Sequence, residues 1–190
     1  GVSPTIVAWS GRMGGDWLDG FEYEQRKKSP TESTAQDTSN LVQDLLQAEV
    51  DVILYAGGDG TTRDIVNALD GNETPLIGVP GGVKMHSGCF ATTPKASAEV
   101  LLAFLQGDLM VAITEVMDLD EEIYQKGEWK VRMYGEAWTP SSPRFMQGAK
   151  EQVERASESD TIEGLANHIG NLIDDEPELM VIWGSGGTLR

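Results

Sequence analysis

The sequence offers almost no sulfur chemistry and little positive charge. Cys89 is the one cysteine among 190 residues. No intramolecular disulfide can form, so stability rests on packing, as suits a reducing compartment. Its neighbours Gly88 and Phe90 favour a packed thiol over a nucleophile. Histidine is nearly absent too: with only His86 and His168, no Cys/His spacing points to structural zinc. No apolar run approaches the ~18 to 20 residues of a membrane span, and the start carries no basic-then-apolar leader. A soluble, cytoplasmic protein is the expectation. Fourteen bases stand against 31 acids, a net charge of -17. Such a field repels a polyphosphate backbone over a Debye length of about 8 Å, which argues against a nucleic-acid partner. Any anionic ligand then needs local donors or a bridging cation. Two familiar phosphate motifs are also missing: there is no Gly-x4-Gly-Lys-Ser/Thr run, and no Gly-x-Gly-x-x-Gly after a strand.

What is present is an alternation of apolar runs and helical periodicity. Thr5 to Trp9 is β-prone and runs into Gly11, Gly14 and Gly15, and residues 20–33 are charged and loop-like. From Ser33 to Ala48, Leu41, Val42, Leu45 and Leu46 recur at helical spacing. Asp51 to Ala56 predicts a buried strand, Thr61 to Leu69 a helix, and Pro75 to Val79 another strand. Thr93-Pro94 is a helix start, with Thr93 as N-cap, and Gly107 is the stop. Strand–helix alternation of this kind predicts a parallel sheet with helices on both faces. After Gly107 the texture changes. Residues 113–125 and 128–138 predict a hairpin turning at Lys126-Gly127, a smaller β-rich element. A Pro- and charge-rich stretch over 139–159 precedes an amphipathic helix from Ile162 to Ile173, which carries His168 on a surface position. Leu179 to Trp183 is a last strand, opening into Gly184 to Thr188. Such a loop normally leads into a helix, yet the chain stops three residues past Gly187, and it begins at Gly1 rather than Met. The expected organisation is an α/β domain over 1–110 and a second or returning region over 111–190, incomplete at both ends.

Four strand ends open into glycine loops: 11–15, 57–60, 78–82 and 184–187. Glycine often does no more than end a strand. Four such loops on one edge of a parallel sheet, however, mark the place where α/β proteins bind ligands. The sharpest is Gly57-Gly58-Asp59-Gly60-Thr61-Thr62. Its glycines allow positive φ and close approach of backbone N–H groups to an anion, and the helix that follows presents its positive end there. Asp59 does not suit a bare phosphate: two unit charges ~4 Å apart repel by roughly 4 kcal/mol at an effective dielectric of ~20. A carboxylate fits if it faces a hydroxyl or if Mg²⁺ lies between, and both belong to phosphoryl transfer. The alternative is a tight turn in which Asp59 bonds its own backbone. Between Ser29 and Pro94 the only full cations are Arg63 and Lys84, against nine acids. Lys84 is either a phosphate contact or a solvated charge, Arg63 has Asp59 and Asp64 as alternative partners, and His86 is either a polar core residue or a ligand contact. Asp118 and Asp120, two apart on a strand, share a face that could hold a metal or a ribose, or could be the wet side of a hairpin.

Gly57-Gly58-Asp59-Gly60-Thr61 resembles the signature of NAD kinases and of the wider superfamily that includes diacylglycerol and sphingosine kinases. Gly78 to Ser87, with Phe90-Ala91 and Pro94, is similar to a narrower branch, the bacterial and archaeal ATP-NAD kinase-like or polyphosphate/ATP-NAD kinase proteins. Thr34 to Thr38 and Glu115 to Glu121 also resemble its recurring stretches. The Thr-Gly-Ser-Thr loop of NAD kinases has no good match here. The resemblance implies phosphoryl transfer from ATP, or polyphosphate, with Mg²⁺, to a hydroxyl of NAD or a related small molecule. Asp59 would act on that hydroxyl. Gly57, Gly58, Gly60, Thr61, Thr62, Gly81, Lys84, His86 and Ser87 would line the nucleotide and phosphate site, with metal ligands left open. A lipid or other small-alcohol kinase and a nucleotide-binding module without catalysis are the rival readings. Partners would be small nucleotides, without nucleic acid or membrane, and a homo-oligomer is compatible with the sequence.

Overall fold

Thr34 begins the first long helix because its hydroxyl and the Asp37 carboxylate reciprocate. Thr34 Oγ1 accepts from the Asp37 backbone N–H, and Asp37 Oδ2 accepts from the Thr34 backbone N–H at 2.9 Å. The computed structural model describes residues 3–81, 85–119 and 131–141, with the backbone alone for 118 and 119. In chain order these form β1 (Val7–Ser10), a 3-10 turn (Gly15–Trp17), β2 (Glu24–Lys28), α1 (Ala35–Gln47), β3 (Ile53–Gly57) and α2 (Asp59–Leu69). There follow β4 (Leu76–Pro80), α3 (Pro94–Leu105), β5 (Val111–Leu119) and β6 (Val131–Pro140). Thr93 caps α3 through a 3.1 Å bond from the Ala96 backbone N–H, with Pro94 in the first turn. No helix among the described residues is long and apolar enough to cross a membrane.

The chain is an α/β fold, and among the described residues its strands pair two by two. β1 lies parallel to β2, β3 parallel to β4, and β5 antiparallel to β6. β3 and β4 run in register from Ile53 opposite Leu76 to Gly57 opposite Pro80. The stretch around Phe90 then pairs alongside Gly78, with the Gly78 N–H donating to Cys89 O at 2.8 Å and the Ala91 N–H donating to Gly78 O at 3.1 Å. The Gly88 N–H donates in turn to Glu115 O on β5 at 3.0 Å. A short return segment therefore stitches the parallel pair to the hairpin.

One apolar cluster gathers Val42 and Leu45 of α1, Ile53 of β3, Ile65 and Leu69 of α2, Leu76 of β4, and Cys89 and Phe90. Val116 of β5 and Ala137 of β6 also enter it, so the hairpin shares this core. Ile77, the residue after Leu76, joins a second cluster with Ala91 and with Ala96 and Val100 of α3. Successive strand residues point to opposite faces, so β4 is covered on both. Phe90 leaves no room at Gly78: a Cβ there would sit 2.5 Å from a Phe90 ring carbon.

Three expectations change. The charged stretch 20–33 contains a strand, β2, whose five residues Glu-Gln-Arg-Lys-Lys are all exposed. It has no apolar face to announce it and is held by backbone bonds to β1, including Glu24 N–H to Ile6 O at 2.7 Å and Ser29 N–H to Ser10 O at 2.9 Å. β3, expected to be buried, leaves Leu54 48% exposed. The hairpin forms with other limits, Val111–Leu119 and Val131–Pro140, one strand running to Pro140 where an irregular stretch was expected from residue 139. Its turn at Lys126-Gly127, the helix at 162–173 with His168, and the strand and glycine loop at 179–188 lie outside the described residues.

β1, β2 and α1 are tied by Asp44. The buried Trp9 indole N–H donates to Asp44 Oδ2 at 2.8 Å, and Lys27 Nζ donates to Oδ1 at 2.9 Å while lying 5.6 Å from the Trp9 ring centre. Burial pushes the Asp44 carboxyl up, but the Lys27 and Trp9 hydrogen bonds outweigh it and hold the group below its ordinary value. Asp44→Ala should lower stability by about 1–3 kcal/mol, because a buried indole donor loses its partner. Urea unfolding followed by circular dichroism measures this. The unfolded carboxyl binds its proton first on acidification, so Asp44 stabilises fully above about pH 4 and less as pH falls through the folded value. The gap between wild type and variant should therefore close in acid.

Deeper in the same core, Cys89 lies 3.2 Å from the Tyr55 hydroxyl, which bonds Thr62 Oγ1. Thr62 Oγ1 donates its single proton to Gly58 O at 3.1 Å, so Cys89 donates to Tyr55, Tyr55 to Thr62, and the Gly58 carbonyl accepts at the end. Burial pushes the Cys89 thiol up to about 11 and the Tyr55 phenol well above its ordinary value. The packed thiol should therefore resist a maleimide at pH 8, where roughly one molecule in a thousand carries a thiolate. Full labelling is expected only in denaturant, with mass spectrometry as the readout.

Candidate functional site

β3 delivers the chain to Gly57, Gly58 caps α2 in an extended conformation, and Asp59 is the first residue of that helix. A carboxylate in the first turn is favoured by the positive end of the helix dipole. The neighbouring strand ends close beside it, with the Gly81 N–H donating to Gly57 O at 2.9 Å. The glycines serve close packing here, not left-handed backbone. Gly57, Gly58, Gly60 and Gly81 are absent from the positive-φ residues, which corrects the expectation of positive φ in this loop. A Cβ on Gly57 would lie 2.7 Å from Thr61 Oγ1, and one on Gly81 would lie 3.0 Å from Gly57 O. Gly60 differs: a Cβ there would meet nothing within 4 Å.

Asp59 does not bond its own turn, so the tight-turn alternative falls. The carboxylate reaches 27 and 28 residues along the chain to the segment that returns after β4. Oδ2 accepts from the His86 backbone N–H at 2.9 Å and meets His86 Nδ1 at 3.0 Å. Oδ1 accepts from the Ser87 backbone N–H at 2.9 Å and from Ser87 Oγ at 2.6 Å. The Asp59 side chain is 10% exposed and that of His86 19%. Ser87 is fully buried. Its hydroxyl accepts from the Met117 N–H on β5 at 3.0 Å and lies 3.1 Å from Met117 O. Its one proton goes to the shorter, charged acceptor, Asp59. Asp59 is thus linked through one hydroxyl to the hairpin.

The expected site residues fall into groups. Asp59, His86 and Ser87 come together directly, and Gly57 and Gly81 bring their strand ends to the same place. Gly58 lies beneath Met85, whose terminal methyl would be 3.8 Å from a Cβ at that position. Thr61 is half-buried and curls back over Gly57. Thr62 is fully buried with its hydroxyl committed to Gly58 O and Tyr55, so its side chain braces the loop instead of facing a phosphate. Arg63 pairs with Asp64 at 3.4 Å, and its guanidinium lies 5.9 Å from the Tyr134 ring centre. Lys84 and the side chains of Asp118 and Asp120 lie outside the described residues. Of the four glycine loops, 57–60 and the end of β4 meet. The loop at 11–15 turns back onto Tyr23 and Ser29, and 184–187 is outside the described residues. No group of three His, Cys, Asp or Glu side chains that could hold a metal gathers among the described residues.

Sequence reasoning missed Tyr55, Cys89 and the Met117 backbone as supports. Tyr55 carries a signal in retrospect: it is the polar-tipped residue of an apolar run, two before the glycines, and a buried hydroxyl needs a partner.

No curated protein and no solved structure matches this chain. The family model described as the ATP-NAD kinase N-terminal domain matches residues 6–109, just over half of the sequence. That span takes in the strand–helix junction at Asp59 and the His86–Ser87 segment that clasps it. The chain belongs to the ATP-NAD kinase N-terminal domain family.

Proposed function

We propose that the protein is a phosphotransferase that moves a phosphoryl group from ATP to a hydroxyl of NAD or a related small molecule. The observation that carries this reading is Asp59, a carboxylate fixed by four hydrogen bonds at the start of a helix, next to Gly60, where a Cβ would meet nothing within 4 Å among the described residues. An acid held this firmly beside backbone that a phosphate can approach supports positioning and deprotonation of an acceptor hydroxyl. Membership of the ATP-NAD kinase N-terminal domain family supports the same class of chemistry. Gly57, Gly58, Gly60, Thr61 and Gly81 would shape the phosphate side, and Lys84 would add a cation to it. Mg²⁺ would enter on the phosphates of the donor, in keeping with that ion's habit of keeping waters and phosphate oxygens as ligands. Burial of β4 on both faces supports a parallel sheet covered by helices, with the site at its carboxyl end.

Asp59→Asn tests the reading. Asparagine keeps the size but loses the charge and half of the accepting capacity. With ATP, Mg²⁺ and a panel of acceptors that includes NAD, a diacylglycerol and small alcohols, kcat should fall by about 10²- to 10⁴-fold. Nucleotide Kd, measured by calorimetry, should stay near the wild-type value, and urea unfolding checks the fold. Wild-type turnover in the variant would remove Asp59 from the chemistry. Polyphosphate in place of ATP asks which donor is used, and the product formed from the panel identifies the acceptor.

A further inference from the structure

A serine hydroxyl carries one proton and two lone pairs. At Ser87 the proton goes to Asp59 Oδ1 at 2.6 Å, and the oxygen accepts the Met117 N–H of β5 at 3.0 Å. Ser87 is fully buried, so its hydroxyl works between two groups of the protein itself. The β5 side of this bridge is a strand edge. In an antiparallel strand the N–H and C=O of one residue point to the same side, and the side alternates along the chain. Met117 turns both its N–H and its carbonyl toward Ser87 Oγ, at 3.0 and 3.1 Å. Glu115, two residues earlier, presents its carbonyl to the same segment and accepts the Gly88 N–H at 3.0 Å. Along this edge Ser87 and Gly88 stand where a further strand would pair, Gly88 by its backbone and Ser87 by its side chain. The α2 helix fixes only the backbone of Asp59. The torsions of its side chain are set by what the carboxylate bonds, and one of those bonds leads straight to β5.

We infer that Ser87 is a positioning residue for phosphoryl transfer: through its hydroxyl, β5 sets the direction in which the Asp59 carboxylate meets the acceptor. This deepens the phosphotransferase reading and rests on it. In that reaction the acceptor oxygen forms a bond to the γ-phosphorus of a nucleoside triphosphate. The bond from that phosphorus to the β,γ-bridging oxygen breaks, and a nucleoside diphosphate leaves with the electron pair. The acceptor's hydroxyl proton passes to Asp59. Ser87 touches none of the reacting atoms and acts through Asp59 alone. A hydrogen bond from a hydroxyl to a carboxylate is among the stronger ones, and its 2.6 Å length is typical of that class. A displacement of about 1 Å at a reacting group can cost about 10²-fold in rate, so a bond that stops the carboxylate from turning has a catalytic effect without contact to substrate. The hairpin thereby becomes part of the machinery that aims Asp59.

Two variants test this under reducing conditions, with ATP, Mg²⁺ and the acceptor that the panel identifies. Ser87→Ala removes the hydroxyl, and Ser87→Cys keeps nearly the same volume but offers only a weak S–H donor. In both, kcat should fall by about 10- to 10²-fold, with KM and nucleotide Kd little changed and urea unfolding showing a folded protein. A serine that merely filled space would be replaced well by cysteine, so wild-type kcat in Ser87→Cys overturns the inference. Because Ser87 acts through Asp59, the double variant Ser87→Ala with Asp59→Asn should turn over no more slowly than Asp59→Asn alone. An equal loss from Ser87→Ala in both backgrounds would give Ser87 a contact of its own with substrate and overturn the positioning role. Amide hydrogen exchange read by NMR needs no turnover. In Ser87→Ala the amide of residue 87, which bonds Asp59 Oδ1 and not the lost hydroxyl, should lose protection together with that of Met117. Unchanged protection at residue 87 means that the carboxylate does not depend on the hydroxyl, and overturns the inference. A wild-type protein that phosphorylates no acceptor overturns the phosphotransferase reading instead, while exchange still decides whether Ser87 ties Asp59 to β5.

Discussion

The four hydrogen bonds on Asp59 join the start of α2 to the segment that returns after β4. On one side is the start of α2, set by the glycines that end β3. On the other is the segment from His86 to Ala91, which has no regular structure of its own and would otherwise be a loop. A carboxylate at 10% exposure is costly to keep charged unless donors surround it. Here the donors come from that loop, so the charge and the loop order one another. Once Ser87 is placed, Gly88 reaches β5 and Cys89 to Ala91 reach β4, and the parallel pair and the hairpin come to share a core.

Beneath this clasp lies a second polar line, from the Cys89 thiol through Tyr55 and Thr62 to the Gly58 carbonyl. It satisfies three buried polar side chains, and among the described residues no buried side-chain nitrogen or oxygen lacks a partner. Its end point matters most. Gly58 O also accepts the Thr62 N–H at 3.0 Å, so the residue before Asp59 is held by both backbone and side chain. The residues around the carboxylate are thus braced from below by α2 and from the side by the return segment. A reacting group must keep its geometry to within a fraction of an ångström, and this is the kind of support that does so.

How much of this was legible in the sequence differs by element. Two helices were, because Thr93-Pro94 is a cap with a local cause and because Leu41, Val42, Leu45 and Leu46 recur at the period of a helix turn. β4 was, as a short apolar run ended by Pro80 and Gly81. β2 was not: nothing in Glu-Gln-Arg-Lys-Lys alternates, and the strand exists only because β1 offers it a backbone. The glycine signature located Asp59 but could not say what would hold it, since His86 and Ser87 meet it across a 27- to 28-residue separation set by the return of β4. Thr62 was grouped with Thr61 by adjacency. A helix turns about 100° per residue, so one of two neighbouring threonines looks outward while the other, here Thr62, goes into the core.

β2 has a consequence for how the molecule behaves in a crowd. In a chain of net charge -17, Arg26, Lys27 and Lys28 place three of only fourteen bases side by side on one strand. Its cationic side chains flank the edge of the β1–β2 pair that no other described strand covers. Another molecule offering a strand there would have to desolvate those ammonium and guanidinium groups and set its own charges against them. The same five residues that hide the strand from periodicity thus disfavour the pairing of a further strand at that edge.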